Sequence, residues 1–361
     1  MIDVEELGVL VPGPAAAGVE CLAANNNLDL ARFGDRLYLA WRTAPSHFAS
    51  ADARLEVSSA PSIDGPWRHE STIAVGADVR EPRLIADGSR LILFFLELGS
   101  DPKRFQPRGV RRVIYDEGEW SAPATALDAD VVPWRIRRLG DRWALLGYRG
   151  AEKMYSARPA DPTVEIRWSD DLDTWSAPIE LHHGGTECEL VTLADGTVLG
   201  LTRNEGPTRR GSDLLVGPDL AHLDRAHLSV TPVERKLDSP NLFVWNDEPW
   251  LLARRQVAFG GRYDHAPHWL PDALAIRLDQ AVWSLTRKCS ALYRIDPATV
   301  TVQWEVDLPS RGDTAFAAFV AEPDGSLLVA DYRSPESGGD VMWLRGQLRP
   351  TEIAAYRLRR S

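Results

Sequence analysis

A strand–turn–strand unit recurs six times along this sequence, and the repeat limits the folds that the chain can adopt. In each unit a β-rich run leads into a tight turn with an acidic residue, and a second β-rich run follows. The turn acids are Asp35, Asp87, Asp141, Asp195, Asp247 and Asp324, at spacings of 52, 54, 54, 52 and 77 residues. A steady period of about fifty residues is typical of a propeller or another repeat array.

The segments between the hairpins indicate four-stranded blades. A third strand follows each hairpin, and several of the next turns end in Trp, as in SIDGPW and SDDLDTW. Helical periodicity is nearly absent, which favours an all-β fold. We therefore predict a six-bladed β-propeller. The sixth blade is one strand short, and the N-terminal strand at about 4–11 is expected to complete it and remove a free edge.

The chain is predicted to form a single propeller domain, 1–361. The blades lie at roughly 25–78, 79–130, 131–184, 185–236, 237–310 and 311–361. The longer interval before Asp324 predicts an insertion, placed at about 256–283. A repeat fold can hold a chain of 361 residues as one unit.

Charge and composition narrow the range of partners and cofactors. The net charge of −11 argues against nucleic-acid and anionic-membrane binding. No apolar run is long enough to span a bilayer, and the acidic N-terminus lacks signal-peptide features, so we expect a cytoplasmic protein. The three cysteines are too few and too scattered for a disulfide framework or a zinc site, and neither a metal nor another cofactor is expected. The oligomeric state stays open.

Polar residues mark the two ends of each hairpin that lie away from the turn. In a propeller, first strands start and second strands end at the same mouth, with the turn acids at the opposite face. The catalytic candidates at this mouth are Glu187, Glu205, Asp238, Asp313 and Tyr332. The substrate-binding candidates are Asn27, Arg42, His47, Arg83, Trp134, Arg135, Arg203, Asn241 and Arg254.

This mixture of side chains suits chemistry on a sugar. Paired carboxylates can serve as acid, base or nucleophile in glycosidic cleavage, and Arg can bind the acidic group of an anionic sugar. Trp134 could form a platform under a sugar ring. Two plainer interpretations compete: the polar residues line a wet channel, or their ion pairs cross-link neighbouring blades. Ordinary packing is the alternative for Trp134, and a surface or packed position is the alternative for His47.

Three stretches resemble the sialidases and related Asp-box propellers. SDDLDTW resembles the Asp-box turn, and TECELVTLADGTVLGLTR resembles the segment in which a Glu precedes a strand, an acidic turn and an Arg. The resemblance implies that Glu187 corresponds to the residue that activates a tyrosine nucleophile. It likewise implies that Arg203 is one of the three arginines that bind the sugar carboxylate. GDTAFAAFVAEPDGSLLVADYR is similar to the last-blade segment that carries the tyrosine.

The sequence departs from this pattern at the tyrosine. Phe316 occupies the matching position, and Tyr332 stands at the far end of the same segment. The chain is therefore identified as a divergent sialidase-like relative. We expect a glycoside hydrolase that acts on a carbohydrate, with an anionic one favoured. Glu187 would act as base or nucleophile-side carboxylate, and Asp238 or Asp313 as general acid. A polysaccharide lyase that acts on a uronate and a non-catalytic binding propeller are the alternatives.

Overall fold

The fold is an all-β, six-bladed propeller with antiparallel, four-stranded blades, as the repeat predicts. The computed structural model describes residues 1–127, 130–152, 161–205 and 208–360. Along the strands, buried apolar residues alternate with less buried ones, or run continuously where both faces of a blade are covered.

The N-terminal strand and the first two blades occupy the first third of the chain. Strand β1 (Ile2–Val11) and a short 3-10 turn at Pro14–Ala16 precede blade one. Blade one contains β2 (Ala24–Phe33), β3 (Arg36–Ala44), β4 (Arg54–Ala60) and β5 (Arg68–Ile73). Blade two contains β6 (Asp78–Ala86), β7 (Leu91–Leu98), β8 (Pro107–Asp116) and β10 (Ala124–Leu127), with the two-residue β9 (Glu119–Trp120) paired to β8.

Blades three, four and five follow with the same strand order. Blade three contains β11 (Val132–Leu139), β12 (Arg142–Arg149), β13 (Thr163–Ser169) and β14 (Ile179–His183). Blade four contains β15 (Gly185–Thr192), β16 (Val198–Asn204), β17 (Ser212–Gly217) and β18 (Ser229–Val233). Blade five contains β19 (Asp238–Trp245), β20 (Glu248–Gln256), β21 (Lys288–Asp296) and β22 (Thr301–Asp307).

A longer connection separates the second and third strands of blade five. This inserted segment, 257–287, holds a 3-10 turn at Ala258–Gly261 and helix α1 (Asp272–Ser284). The helix was not predicted from the sequence, because its apolar face is narrow. Ala275, Ile276 and Trp283 are buried at helical spacing, while Leu274 and Leu278 are exposed.

Blade six is closed by the N-terminal strand, which confirms that prediction. Its strands are β23 (Thr314–Ala321), β24 (Leu327–Arg333) and β25 (Glu352–Arg360), and the short helix α2 (Trp343–Gly346) precedes the last of them. Strand β1 pairs antiparallel with β25 from Ile2 opposite Arg360 to Val11 opposite Ile353. The blade order is therefore β23–β24–β25–β1.

Three of the turn acids, Asp87, Asp195 and Asp324, accept hydrogen bonds from backbone N–H groups of their own turns. Asp195 Oδ1 accepts from Thr197 N at 2.9 Å, and Asp324 Oδ1 accepts from Ser326 N at 3.0 Å. In the SDDLDTW turn, Asp171 Oδ1 accepts from the N–H groups of Asp173 and Thr174, each at 2.8 Å. These hydrogen bonds lower the pKa of Asp171 to about 2. The acids are thus turn-forming residues.

The chain divides into two compact units of three blades each. The first unit comprises Met1–Val132, Pro309–Gly339 and Arg345–Ser361, which hold blades one, two and six. The second comprises Pro133–Leu308 and Asp340–Leu344, which hold blades three, four and five. Each unit has apolar clusters between its own neighbouring blades, for example around Phe95 in the first unit and Leu215 in the second. The single-domain assignment stays a prediction.

A bulge interrupts the first strand of blades one, two, four, five and six close to the start of the strand. The pairing register shifts there, for example between Asn26 and Leu28 and between Asp238 and Asn241. Four of the bulged residues have left-handed backbone conformations, which side chains other than Gly seldom adopt. They are Asn27 (φ 42°), Glu81 (φ 51°), Ser239 (φ 51°) and Phe316 (φ 59°). Bulges of this kind re-aim side chains at sites.

Candidate functional site

Acidic and basic side chains meet within the second unit at the start of blades four and five. Glu187 lies in the bulge of β15, Arg203 lies near the end of β16, and Asp238 is the first residue of β19. Glu187 and Arg203 lie together because β15 pairs antiparallel with β16, and Asp238 joins them because β19 of the next blade lies beside both strands. We call the set the Arg203 cluster: Glu187, Arg203, Glu205, Lys236, Asp238 and Arg254.

Glu187 is oriented by bonds to both of its carboxylate oxygens. Arg203 Nη1 donates to Oε1 at 2.6 Å, and the backbone N–H of Ser239 donates to Oε2 at 2.7 Å. The second bond depends on the bulge of β19, where Ser239 has a left-handed conformation. Only 7% of the Glu187 side chain is exposed. The carboxylate is therefore held in one orientation in a largely buried position.

Arg203 contacts all three carboxylates of the cluster. Its Nε donates to Glu205 Oε1 at 2.6 Å and lies 3.2 Å from Asp238 Oδ1. Burial opposes the charge of Arg203, but Asp238, Glu187 and Glu205 outweigh burial and raise its pKa above the ordinary value. With 15% of its side chain exposed, Arg203 is more accessible than the three carboxylates that it contacts, on Glu187, Glu205 and Asp238.

Asp238 is held as a carboxylate. Arg254 Nη2 donates to its Oδ2 at 2.8 Å, and Lys236 Nζ lies 3.6 Å from its Oδ1. Burial alone would raise the pKa of Asp238, but Arg203, Lys236 and Arg254 hold it well below the ordinary value. A general acid must carry a proton at working pH, so this environment favours an ion-pairing role for Asp238.

Other predicted residues of the second unit lie in packed positions. Arg135 Nε donates to Glu189 Oε2 at 2.8 Å, and this bond joins β11 of blade three to β15 of blade four. Trp134 is fully buried and donates its Nε1–H to Pro240 O at 3.3 Å. Asn241 is 4% exposed. Of the two interpretations made from sequence, this geometry favours packing for Trp134 and an inter-blade ion pair for Arg135.

A second polar group lies within the first unit, at the start of blades one, two and six. We call it the His47 cluster, and its central carboxylate is Asp313. Tyr332 Oη donates to Asp313 Oδ1 at 3.2 Å, and His47 Nδ1 lies 3.4 Å from Asp313 Oδ2. The members of the cluster are Asn26, Arg42, His47, Asp78, Arg80, Asp313 and Tyr332.

Two arginines flank one carboxylate in this cluster. Asp78 Oδ1 accepts from Arg42 Nη2 at 2.7 Å, and its Oδ2 accepts from Arg80 Nε at 2.5 Å. Burial lowers the pKa of Arg42 to about 10. Burial also lowers the pKa of His47, although its contact with Asp313 opposes the shift. His47 is therefore held as the neutral imidazole near neutral pH.

Phe316 and Tyr332 lie next to each other, although they are sixteen positions apart in the sequence. Ala315 pairs with Tyr332 across β23 and β24, and the rings of Phe316 and Tyr332 stack with centroids 6.1 Å apart. The hydroxyl group that Phe316 lacks is thus present nearby, on Tyr332. Tyr332 is fully buried, with its hydroxyl group directed at Asp313.

The remaining predicted residues of the first unit form their own pair of contacts. Asn27 Nδ2 donates to Glu81 Oε1 at 3.0 Å, which joins the bulges of blades one and two. Arg83 Nη2 donates to Glu81 Oε2 at 3.0 Å and is 1% exposed. Glu81 is therefore oriented from both oxygens, as Glu187 is in the other unit.

Lys236 and Asp78 were missed by sequence reasoning. Both lie just before a first strand or at its start, outside the segments that the repeat marked. One available signal was the rarity of lysine, because the chain has 37 Arg and only 4 Lys. A lysine next to a strand start with an acid two residues on, as in Lys236 and Asp238, is unusual in such a sequence.

Neither a metal-binding group nor a membrane-spanning helix is found in the described part of the chain. Among the described residues, no group of three or more His, Cys, Asp or Glu side chains could hold a metal ion. No helix in the described ranges is long and apolar enough to cross a membrane. A surface pocket of about 420 Å³ in the second unit is lined by residues that include Leu139, Asp141 and Trp168, near a hairpin turn. None of the predicted site residues lines this pocket.

Comparison with known proteins supports the fold. No protein-family model matches the sequence, and no curated protein matches it. A structure of a protein of unknown function from Dyadobacter fermentans is similar over 99% of both chains, with a TM-score of 0.64 and 12% identity. The Trypanosoma rangeli sialidase is similar over 93% of this chain and 55% of its own, with a TM-score of 0.59 and 10% identity.

A bacterial sialidase gives the same result. The NanB sialidase from Streptococcus pneumoniae is similar over 93% of this chain and 68% of its own, with a TM-score of 0.57 and 10% identity. The chain therefore spans little more than half of the trypanosomal enzyme. The predicted resemblance in fold to the sialidase propellers is confirmed, and identities this low show the fold alone.

Proposed function

We propose that the chain is a glycoside hydrolase that acts on a carbohydrate, with an anionic sugar favoured. The observation that carries the proposal is the orientation of Glu187 by Arg203 and by the backbone N–H of Ser239. A carboxylate fixed through both oxygens is preorganised to act as a base or on the nucleophile side of glycosidic cleavage. The fold shared with sialidases supports the same class of substrate.

Arg203 is the proposed anion-binding residue. Its planar guanidinium group suits a sugar carboxylate, and Glu187, Glu205 and Asp238 hold it in one orientation. Arg254, paired with Asp238, supports that orientation. Of the two general-acid candidates predicted from the sequence, Asp238 and Asp313, Asp238 is the weaker, because its neighbours hold it as a carboxylate.

The experiment is a screen followed by one substitution. Oligosaccharides that carry sialic or uronic acids, and neutral analogues, are incubated with the protein, and products are identified by mass spectrometry. Glu187→Gln should lower kcat on the active substrate by about 10²-fold or more. Its melting temperature should fall only modestly, because Gln keeps the shape of the side chain but removes one charge of the ion pair with Arg203.

Glu189→Gln is the matched control. Glu189 lies two residues along the same strand and is also paired to arginine, but it is fully buried. Its substitution should cost stability with little direct effect on kcat. The proposal is wrong if Glu187→Gln leaves kcat unchanged, or if binding occurs without turnover on every sugar.

One observation favours a second candidate, a polysaccharide lyase. Tyr332 and His47 both contact Asp313 within the first unit, and Arg42 lies beside them through Asn26. A lyase needs a Tyr or His base and a cation that neutralises a uronate carboxylate. Its product is an unsaturated uronate that absorbs in the ultraviolet, so spectroscopy of the digest separates it from a hydrolase.

A further inference from the structure

Lys236 is a buried lysine in a chain that uses arginine almost everywhere else. It is 2% exposed and is one of only 4 lysines beside 37 arginines. Its Nζ donates to Asn204 O at 2.7 Å and to Glu205 Oε1 at 2.9 Å. The third neighbour is Asp238 Oδ1, at 3.6 Å. An ammonium group offers three donors, and three oxygen atoms surround this one.

The inserted segment covers this ammonium group with aromatic rings. Nζ lies 5.3 Å from the ring centroid of Tyr263 and 5.9 Å from that of Trp283, both within range of a cation–π interaction. Tyr263 is anchored beside it, because its N–H donates to Glu234 O at 3.1 Å. The segment therefore contacts the Arg203 cluster through Lys236.

The cation–aromatic contacts continue from Lys236 around the second unit. Lys288 Nζ lies 4.2 Å from the ring of Trp283 and 5.9 Å from that of Trp343. Arg254, which binds Asp238, lies 5.1 Å from the ring of Trp343. Cations and aromatic rings thus alternate along the series Lys236, Trp283, Lys288, Trp343 and Arg254. Asp238 contacts both ends of this series, Lys236 and Arg254.

We propose that Lys236 is a positioning residue for the candidate site: clamped by Tyr263 and Trp283, it fixes Glu205 and Asp238 against Arg203 and so orients Glu187. The inference rests on the proposed function for the role of Glu187. In this proposal the inserted segment holds the ammonium group of Lys236 through Tyr263 and Trp283, and that group completes the charge balance of the cluster.

Charge balance explains why this residue matters. Three carboxylates of the cluster, on Glu187, Glu205 and Asp238, face three cations, on Arg203, Lys236 and Arg254. Without Lys236 the buried group carries one excess negative charge, which a low-dielectric environment disfavours.

Glu205 is the carboxylate that depends most directly on Lys236. Burial would raise the pKa of Glu205, but Arg203 and Lys236 lower it below the ordinary value, against the opposing charge of Asp238. From the inserted segment, Tyr263 and Asp279 also face this region, and the acids beside Tyr263 help burial to raise its pKa. Loss of the Lys236 charge should therefore let Glu205 take up a proton at a higher pH.

The test compares Lys236→Met, Glu205→Gln and the double variant by thermal unfolding across pH. At pH 7.5, Lys236→Met should lower the melting temperature by on the order of 5 °C, because one buried ionic partner is lost. This deficit should narrow as the pH falls toward 5, since a proton can then neutralise the excess charge. The double variant should be clearly less destabilised than the sum of the single variants, because it restores the balance.

Lys288→Met is the matched control. Lys288 is the other buried lysine on Trp283, and its Nζ donates to the backbone carbonyls of Trp283 and Thr286. Its deficit should not narrow as the pH falls, and Glu205→Gln should not relieve it. Should Lys236→Met fail to fold, Lys236→Gln removes the same charge but keeps a polar side chain, and its deficit should narrow in the same way as the pH falls.

A deficit of Lys236→Met that is constant with pH, together with simple additivity in the double variant, would overturn the proposal and leave Lys236 as a packing residue. None of these measurements needs a substrate. The failure of Glu187→Gln to affect turnover would therefore refute the proposed function and leave the charge coupling of Lys236 standing. Once a substrate is known, the acid limb of kcat/KM should move to higher pH in Lys236→Met.

Discussion

His47, with 14% of its side chain exposed, shows how one largely buried side chain sets a pH dependence. Its contacts are with Asp313 Oδ2 and with the amide group of Asn26, whose oxygen accepts from Arg42. Since Arg42 has only donors, the Asn26 oxygen must face Arg42 and its NH₂ group must face His47 Nδ1. Nδ1 can therefore accept a hydrogen bond from Asn26 when it carries no proton, and it can donate to Asp313 Oδ2 when it is protonated.

We expect this arrangement to make the fold sensitive to acid. Burial lowers the pKa of His47 below its ordinary value of 6.5 in the folded state, whereas the unfolded chain takes up a proton near that value. The free energy of unfolding is therefore undiminished by His47 above pH 6.5, and it decreases as the pH falls below that value. Melting temperatures from pH 7.5 to pH 5 should fall less in His47→Gln than in the native protein.

His222→Gln is the control for that series, because His222 is exposed on the surface of the second unit. Its melting curve should follow the native curve over the whole range. If His47→Gln follows the native curve equally closely, the burial of His47 does not govern the acid sensitivity.

The meeting of polar side chains at strand ends was easier to predict than the depth at which each side chain lies. The sequence pointed to Glu187, Arg203, Asp238 and Asp313, and each lies in a polar cluster. It also offered Trp134 as a sugar platform, yet this side chain is fully buried. Alternation along a strand says which face a side chain takes, but not how the neighbouring blade covers it.

At the scale of the secondary-structure element, the bulges are the feature that could not be predicted from the sequence. A left-handed Phe316 or Ser239 has no composition signal, because local preference argues against it and only the surrounding sheet enforces it. The hairpins themselves were predictable, since each carries alternating strands and an acidic turn. Helix α1 was not, because its period is interrupted by exposed leucines.

The bulge at Ser239 can be tested by backbone preference alone. Ser239→Gly should keep the N–H that binds Glu187 and leave the melting temperature nearly unchanged, because Gly accepts a φ of 51°. Ser239→Val should cost roughly 1–2 kcal/mol or more and lower turnover, since a β-branched residue resists this conformation. Urea denaturation and kcat on the same samples give the comparison. Equal stability of the two variants would show that the bulge is not strained.

At the scale of the whole molecule, the period of about fifty residues was sufficient to predict six blades and their closure. It worked because each blade repeats the same hairpin, so that six weak signals reinforce one another. The assembly of each polar cluster could not be predicted, because it depends on contacts between blades that no local pattern encodes. The division into two three-blade units is likewise visible only in three dimensions.

Closure by β1 predicts the effect of removing it. Deletion of residues 1–11 would expose the backbone edge of β25, which pairs with β1 along its length. We expect the shortened protein to self-associate and to melt at a lower temperature, as measured by light scattering and calorimetry. A synthetic peptide of sequence IDVEELGVLV should reverse both effects, whereas a scrambled peptide should not. A shortened protein that stays monomeric and equally stable would contradict this account.

The pairing of β1 with β25 also sets the stage of synthesis at which blade six can be completed. Strand β1 is synthesised long before its partner β25, so blade six is completed only once β25 has left the ribosome. Contacts between such distant parts of a chain form slowly. The waiting strand carries Asp3, Glu5 and Glu6, and these charges should keep it from associating with other nascent chains. The completion of blade six is thus separated in time from the synthesis of β1, which lacks its sheet partner until β25 is made.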